Sequence, residues 1–189
     1  MTVRIITPPA AVLTLAEAKA HLRDDSGDED GLIQFYIDSA FSHLCGENGI
    51  SGRSIGEQTI EYIGRPCYGV ISLPLPPYRS LVSAFYYNTS GEEIELQVED
   101  FEVRAAAFGG VDLYLPTWPS ASTRPDAYRI RYTAGMAPTD KAIEPIKLVM
   151  QLLVAHWFKN REATGRIADT SAIPFSIASL LSPIHIWSV

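Results

Sequence analysis

Pro145-Ile-Lys-Leu-Val-Met-Gln-Leu-Leu-Val-Ala-His-Trp-Phe-Lys-Asn-Arg161 reads as one long apolar helix that ends in a basic cluster. Val149, Leu152, Leu153, His156 and Trp157 recur at helical spacing and form one broad apolar face, on which His156 reads as a hydrogen-bonded core histidine. Pro145 suits the first turn, where its missing N–H has no partner in any case. Lys159 and Arg161 fall at the C-terminal end, where cations are favoured. What precedes this helix decides the fold, because the stretch before it has a different period.

Between Gln58 and Thr133 the apolar residues alternate. Gln58-Thr-Ile-Glu-Tyr-Ile63 and Tyr128-Arg-Ile-Arg-Tyr132 have the period of half-buried strands. Val70-Ile-Ser-Leu-Pro-Leu-Pro-Pro77 is extended, with prolines that confine it to a sheet edge. Leu81 to Tyr87 is aromatic and aliphatic, Asn88-Thr-Ser-Gly91 is a turn, and Ile94, Leu96 and Val98 return on one face. Phe101 to Ala105 and Val111 to Leu115 form a hairpin about Gly109-Gly110, so that about six or seven short strands fit in this stretch.

The chain opens with helices. Thr14-Leu-Ala-Glu17 is a capping box for a helix ending near Arg23. An acidic turn, Asp24-Asp-Ser-Gly-Asp-Glu-Asp-Gly31, follows, in which Asp28 or Asp30 can cap the next helix. That helix runs from Gly31 to Cys45, with Ile33, Tyr36, Ile37, Ala40 and Leu44 on one stripe, and Gly46 and Gly49 end it. Strands bracketed by helices argue an α+β fold. It is read as a helical platform, residues 1–56 together with 137–189, carrying an inserted antiparallel β-rich module at 57–136.

The composition excludes several classes. At 189 residues and 47% hydrophobic, the chain can bury a real core. Its net charge of −7 shows no basic stripe to neutralise phosphates, so tight DNA binding is not expected. The two cysteines, Cys45 and Cys67, read as buried free thiols in a reducing cytoplasm. The first residues do not read as a signal peptide, because the apolar run is short and Pro8-Pro9 stops it. The apolar run after Pro145 is about fourteen residues, too short and polar to span a bilayer.

No catalytic constellation stands out. Gly52-Arg-Ser-Ile-Gly56 matches G-x-S-x-G, but a nucleophile elbow needs a strand before the serine and a helix after it. Here a helix precedes and a strand follows, so a Ser54 hydrolase with His156 and Asp112 as partners is the poor alternative, and a turn is the plain reading. The acidic run fails as a calcium loop, since Ser26 would be first and Ile37 would replace the bidentate glutamate. His21, His43, His156 and His185 make no metal-ligand spacing. No cofactor or metal is expected. Phe85, Tyr86 and Tyr87 lack basic sequence neighbours and read as core and interface rather than a base-stacking platform.

The chain end, Ser182-Pro-Ile-His-Ile-Trp-Ser-Val189, is apolar and set off by Pro183. Period two would put Ile184 and Ile186 on one face of a strand, with His185 and Trp187 on the other. Such a strand can add to an exposed sheet edge of a partner, or the tail can fold back on its own helices.

The order of segments resembles the head–tail connector proteins of tailed phages, also called adaptor or head-completion proteins. The same family serves phage-like gene transfer particles. The residues that carry the resemblance are Leu13-Thr-Leu-Ala-Glu-Ala-Lys-Ala-His-Leu-Arg23 with its acidic turn, Ser51-Gly-Arg53, Gln58-Thr59, and Ile71 to Pro77 leading to Ser83-Ala-Phe-Tyr-Tyr87. Tyr132-Thr-Ala-Gly135, Pro145-Ile-Lys147, His156 to Glu162 and Leu180 to Pro183 complete it. The family usually has threonine where this chain has Ser51.

The resemblance implies a non-enzymatic virion protein, made in the bacterial cytoplasm and placed at the head–tail junction. It implies a ring of identical subunits, a dodecamer on a twelvefold portal, with DNA passing through unbound. A tail-completion or stopper protein would attach to that ring, and such a stopper role is itself the alternative for this chain. Ile184, His185, Ile186 and Trp187 would dock on the portal, or else on a neighbouring subunit.

Overall fold

The computed structural model describes residues 2–47, 49–65, 69–137, 139–161 and 175–182. In chain order the elements are β1 (Thr2–Thr7), α1 (Leu15–Leu22), α2 (Asp30–Leu44), β2 (Gln58–Gly64), β3 (Val70–Leu73), β4 (Tyr78–Tyr87) and β5 (Glu93–Leu96). Then come β6 (Glu102–Ala105), β7 (Val111–Tyr114), β8 (Tyr128–Ala134), α3 (Ile143–Lys159) and α4 (Phe175–Leu181). The fold is α+β, as the alternation of periods predicts. The elements divide into two compact units, Met1–Ala10 with Gly56–Met136, and Ala11–Ile55 with Ala137–Val189.

The first unit is β. One sheet has the order β1-β2-β8-β4-β5 and the other β3-β7-β6, with every pairing antiparallel. The period of two sets the faces. Val3, Tyr62, Ile130, Ala84 and Leu96 lie side by side across all five strands. Tyr62, Ile130 and Ala84 are buried in one cluster with Ile71, Leu73, Val111 and Leu113 of the smaller sheet, and Val3 and Leu96 pack against it at the two ends. Burying apolar area at about 25 cal/mol per Å² is what drives two such faces together.

The opposite face is polar, where Arg4, Glu61, Arg131 and Ser83 form one row. The row one step away runs Thr2, Ile63, Arg129, Phe85, Glu95. Glu61 is buried on this face and accepts from Arg131 Nε at 2.8 Å. A buried carboxylate demands such a partner, since unpaired it would cost several kcal/mol.

Three details differ from the sequence reading. The segment Thr2–Thr7, assigned there with the helices of 1–56, is an edge strand on β2. It is rich in β-branched residues, and its pairing partner lies more than fifty residues downstream, beyond the reach of local patterning. Second, β5 ends at Leu96, and Val98 opens a 3₁₀ turn, so Val98 does not continue the face of Ile94 and Leu96. Third, the aromatic strand does have basic neighbours in space. The guanidinium carbons of Arg124 and Arg129 lie 4.2 and 5.4 Å from the centre of the Tyr87 ring.

The second unit is helical. Both halves of the capping box form, with Glu17 N donating to Thr14 Oγ1 at 3.2 Å and Thr14 N donating to Glu17 Oε2 at 2.8 Å. The helix α1 ends on Arg23 in the left-handed region, whose N–H reaches back to Ala20 and Lys19. In α2 the buried stripe is Ile33, Ile37, Ala40 and Leu44, with Tyr36 half-buried beside it. Gly49 follows where the chain folds back so closely that a Cβ would sit 2.4 Å from the Cys45 carbonyl oxygen. The α3 stripe is Ile143, Ile146, Val149, Met150, Leu153 and Val154. Nothing after Val154 in α3 is buried, so His156 is exposed rather than a core histidine. The last turn of α3 outruns the buried stripe.

Candidate functional site

The serine motif does not build a nucleophile. Ser54 is fully buried between Gly52 and Gly56, both in the left-handed region, and no strand feeds it. Asp112 belongs to β7, where it accepts from Ser72 Oγ at 2.6 Å. His156 sits in the exposed last turn of α3 and meets Asn160 Nδ2 at 3.4 Å. Ser51, the residue beside the motif, holds the loop instead. Its hydroxyl donates to the Leu44 carbonyl at 2.6 Å and accepts from Arg53 N at 3.2 Å. The Cys45 thiol is free, accepts from Ile55 N at 3.4 Å, and is pushed up from its ordinary pKa by burial. That shift makes it a poor nucleophile. Cys67 lies outside the described residues.

The acidic turn is organised by a lysine. Lys19 Nζ donates to Asp30 Oδ1 and to the Ser26 carbonyl, both at 2.5 Å. Asp24 Oδ1 accepts from Ser26 N at 3.0 Å, a local side-chain turn. Pairing with Asp30 raises the Lys19 pKa, and the hydrogen bonds to Ser26 lower that of Asp24. Neither Asp28 nor Asp30 caps α2 with its side chain, which the sequence reading expected. The N-cap is Glu29, without a side-chain cap bond, and Glu29 pairs with Arg161 beyond the end of α3. Asp30 is the first residue inside α2 rather than its N-cap, and its side chain pairs with Lys19 instead. No group of three or more metal-type ligands occurs among the described residues.

Several large apolar side chains remain exposed. In the helical unit, Phe35 is 63% exposed on α2. Its ring lies 6.0 Å from that of Tyr36, which is 6.2 Å from Trp157 of α3. An open cleft of roughly 480 Å³ runs beside α3, lined by Glu17, Lys147, Leu148, Gln151 and Leu180. In the β unit, Ile5 and Ile6 of β1 and Ile94 of β5 are exposed at the two edges of the larger sheet.

Sequence reasoning missed Phe35, Ile5 and Ile6. The only signal for Phe35 was its position off the Ile33–Ile37–Leu44 stripe. For Ile5 and Ile6 the signal was an isolated β-branched run before Pro8. The docking residues read from the sequence, Ile184, His185, Ile186 and Trp187, lie outside the described residues.

No protein-family model matches the chain, and no curated protein does. Its fold is similar to that of chains in solved structures. One is in the virion of a native gene transfer agent particle, with a TM-score of 0.77 at 18% identity, covering 100% of this chain and 97% of that one. A chain from the neck of an empty gene transfer agent particle, computed with C6 symmetry, gives the same values. A chain from the neck of a native particle, computed with C12 symmetry, has a TM-score of 0.69 at 16% identity over the same shares. At these identities the likeness establishes a shared fold.

Proposed function

We propose that this chain is a structural virion protein, a head–tail connector that forms a ring under the portal of a phage or gene transfer particle. The observation that carries this reading is the likeness of fold across the whole chain to chains of gene transfer agent particle necks computed with C6 and C12 symmetry. The order of segments supports it independently, through the resemblance to connector proteins. The role is assembly by docking, without a catalysed reaction. Subunits bind the portal after DNA packaging, extend the DNA channel, and offer the surface on which a stopper or tail-completion protein attaches.

The charge suits that task. Each subunit carries a net −7, and a ring of such subunits repels DNA rather than holding it, so the duplex can slide. Docking on the portal is assigned to the tail, with Ile184, His185, Ile186 and Trp187 as the contact residues. A heterologous contact that closes by rotation makes a ring of identical subunits. The test is imaging of the full-length protein mixed with its own portal. The expected result is one twelvefold ring coaxial with the channel. A single copy, an isologous dimer, or no binding overturns the reading.

A further inference from the structure

The five-stranded sheet has two open edges, and they are complementary. Among the described residues β1 pairs only with β2, and β5 only with β4, so each leaves one line of backbone N–H and C=O groups unpaired. Soluble proteins usually blunt such edges with lysine, proline or a covering element, since an open edge recruits another strand. Here all of β1 except Val3 is exposed, and all of β5 except Leu96. Neither strand contains proline or lysine.

The faces match as well as the backbones. On the polar face β1 presents Arg4, and β5 presents Glu95 beside Glu93, which is already paired with Arg129 of β8. Both Arg4 and Glu95 are exposed. On the core-side face β1 presents Ile5, 49% exposed, and β5 presents Ile94, 37% exposed. The two edges therefore carry opposite charge on one face and unburied isoleucine on the other. Their lengths agree too. A register shift between Ile5 and Thr7 leaves Thr2 to Ile5 as the regular run of β1, and β5 is 4 residues long.

Direction decides which contact is possible. Every pairing in the sheet is antiparallel, so β1, β8 and β5 run one way, and β2 and β4 the other. A copy placed by rotation beside β5 then offers its β1 in parallel, with like faces aligned. A two-fold dimer through β1 alone would bring Arg4 toward Arg4 of the partner subunit.

We infer that β5 of one subunit takes β1 of the next as a parallel strand, so that the seam between neighbouring copies is a continuous sheet edge with Arg4 set against Glu95. The occupant of each edge is a second copy of this chain. This rests on the ring reading above and adds the surface that closes the ring. Backbone bonds supply the adhesion, and the charge pair sets which edge meets which.

The test uses the full chain on its own portal. Arg4 stands opposite buried Glu61 in its own sheet, so Arg4→Glu and Glu95→Arg are compared only where far-UV circular dichroism and the melting temperature match those of the wild type. Each alone is expected to lower ring occupancy on the order of tenfold or more, because a like-charge juxtaposition replaces an attraction. Mixed in equal amounts, the two variants restore the ring. In an alternating ring the substituted edges of the two variants face each other at every second seam, with the charges exchanged, and the unsubstituted Arg4 and Glu95 meet at the seams between. Every seam then joins a carboxylate to a guanidinium. Wild-type rings with either variant, or no rescue on mixing, overturn the seam while leaving the ring reading intact. Failure of the wild-type protein itself to form a ring overturns both.

Discussion

Lys147 Nζ lies 3.0 Å from Glu17 Oε1, so α3 grips α1 at the cap that starts it. Glu17 thus serves two elements, since its other oxygen closes the capping box. Hydrogen bonds from the Thr14 backbone and hydroxyl, then from Lys147, lower its pKa from 4.5 to about 2.

A depressed carboxyl stabilises the fold above its unfolded pKa, and that contribution is lost as pH falls through the folded value. The helical unit is therefore expected to lose stability between about pH 4.5 and 2. Replacing Thr14 with alanine is expected to cost about 1 kcal/mol at neutral pH and to flatten this acid limb. Urea unfolding across that pH range checks both. The Thr14 backbone bond to Glu17 survives this substitution, so an unchanged acid limb would show only that the hydroxyl is not the source, whereas Glu17→Gln, which removes the carboxyl itself, should abolish the limb.

Glu61 and Arg131 invite a second experiment. The glutamate side chain is 3% exposed and its arginine partner 40%. Removing the arginine with Arg131→Met leaves a buried carboxylate without its partner. The expected loss is about 3 kcal/mol, the lower end for breaking a buried pair, because the arginine end reaches water. Replacing both residues by Glu61→Gln and Arg131→Met should recover much of it. A double-mutant cycle on denaturant midpoints measures the coupling.

Leu113 marks the middle of the β core and is fully buried. Leu113→Ala is expected to destabilise the protein by roughly 2–5 kcal/mol through lost transfer energy and a residual cavity. Val82 on β4 is 49% exposed, so Val82→Ala should stay within about 0.5 kcal/mol. Thermal melts of the two variants side by side give the contrast.

The acidic turn should ignore calcium. Lys19 already sits where a cation would, bound to Asp30 and the Ser26 carbonyl. The melting temperature is expected to be the same in excess calcium and in chelator. A rise of several degrees with calcium would mean that the lysine is displaced by a metal.

Deleting the residues after Leu181 is expected to leave a soluble protein with the melting temperature of the full chain. That protein should no longer join tails to filled heads, as Ile184, His185, Ile186 and Trp187 are proposed to dock on the portal. A truncated chain that unfolds would place the tail in the core. One that still completes particles would refute docking by the tail.

Short-range chemistry was legible in the sequence. The capping box at Thr14 and Glu17, the stripe from Ile33 to Leu44, and the alternation of Tyr128 to Tyr132 each carry their own period, and each formed. What escaped depended on partners far along the chain. Thr2–Thr7 becomes a strand by pairing with the edge of β2, and Asp30, already inside α2, pairs with Lys19 in space rather than capping. His156 fits the apolar period of α3, yet period cannot tell where a neighbouring surface stops. The open edges carrying Arg4 and Glu95 were hidden for the same reason, since an edge is a property of sheet order.

The division of the chain has a consequence for its synthesis. The helical unit is written in two pieces, Ala11–Ile55 and Ala137–Val189, and the β unit begins with Met1–Ala10. As the polypeptide leaves the ribosome, β1 emerges ahead of β2 and must wait for it. The pair α1 and α2 then emerges with the Ile33–Ile37–Leu44 stripe uncovered, and its cover, α3, is translated only after the whole β module. Chain order therefore lets the inserted unit finish before the unit that surrounds it in sequence. An amino-terminal fragment ending at Met136 holds all the described strands yet presents α1 and α2 without α3, so it is expected to expose their apolar stripe and to aggregate.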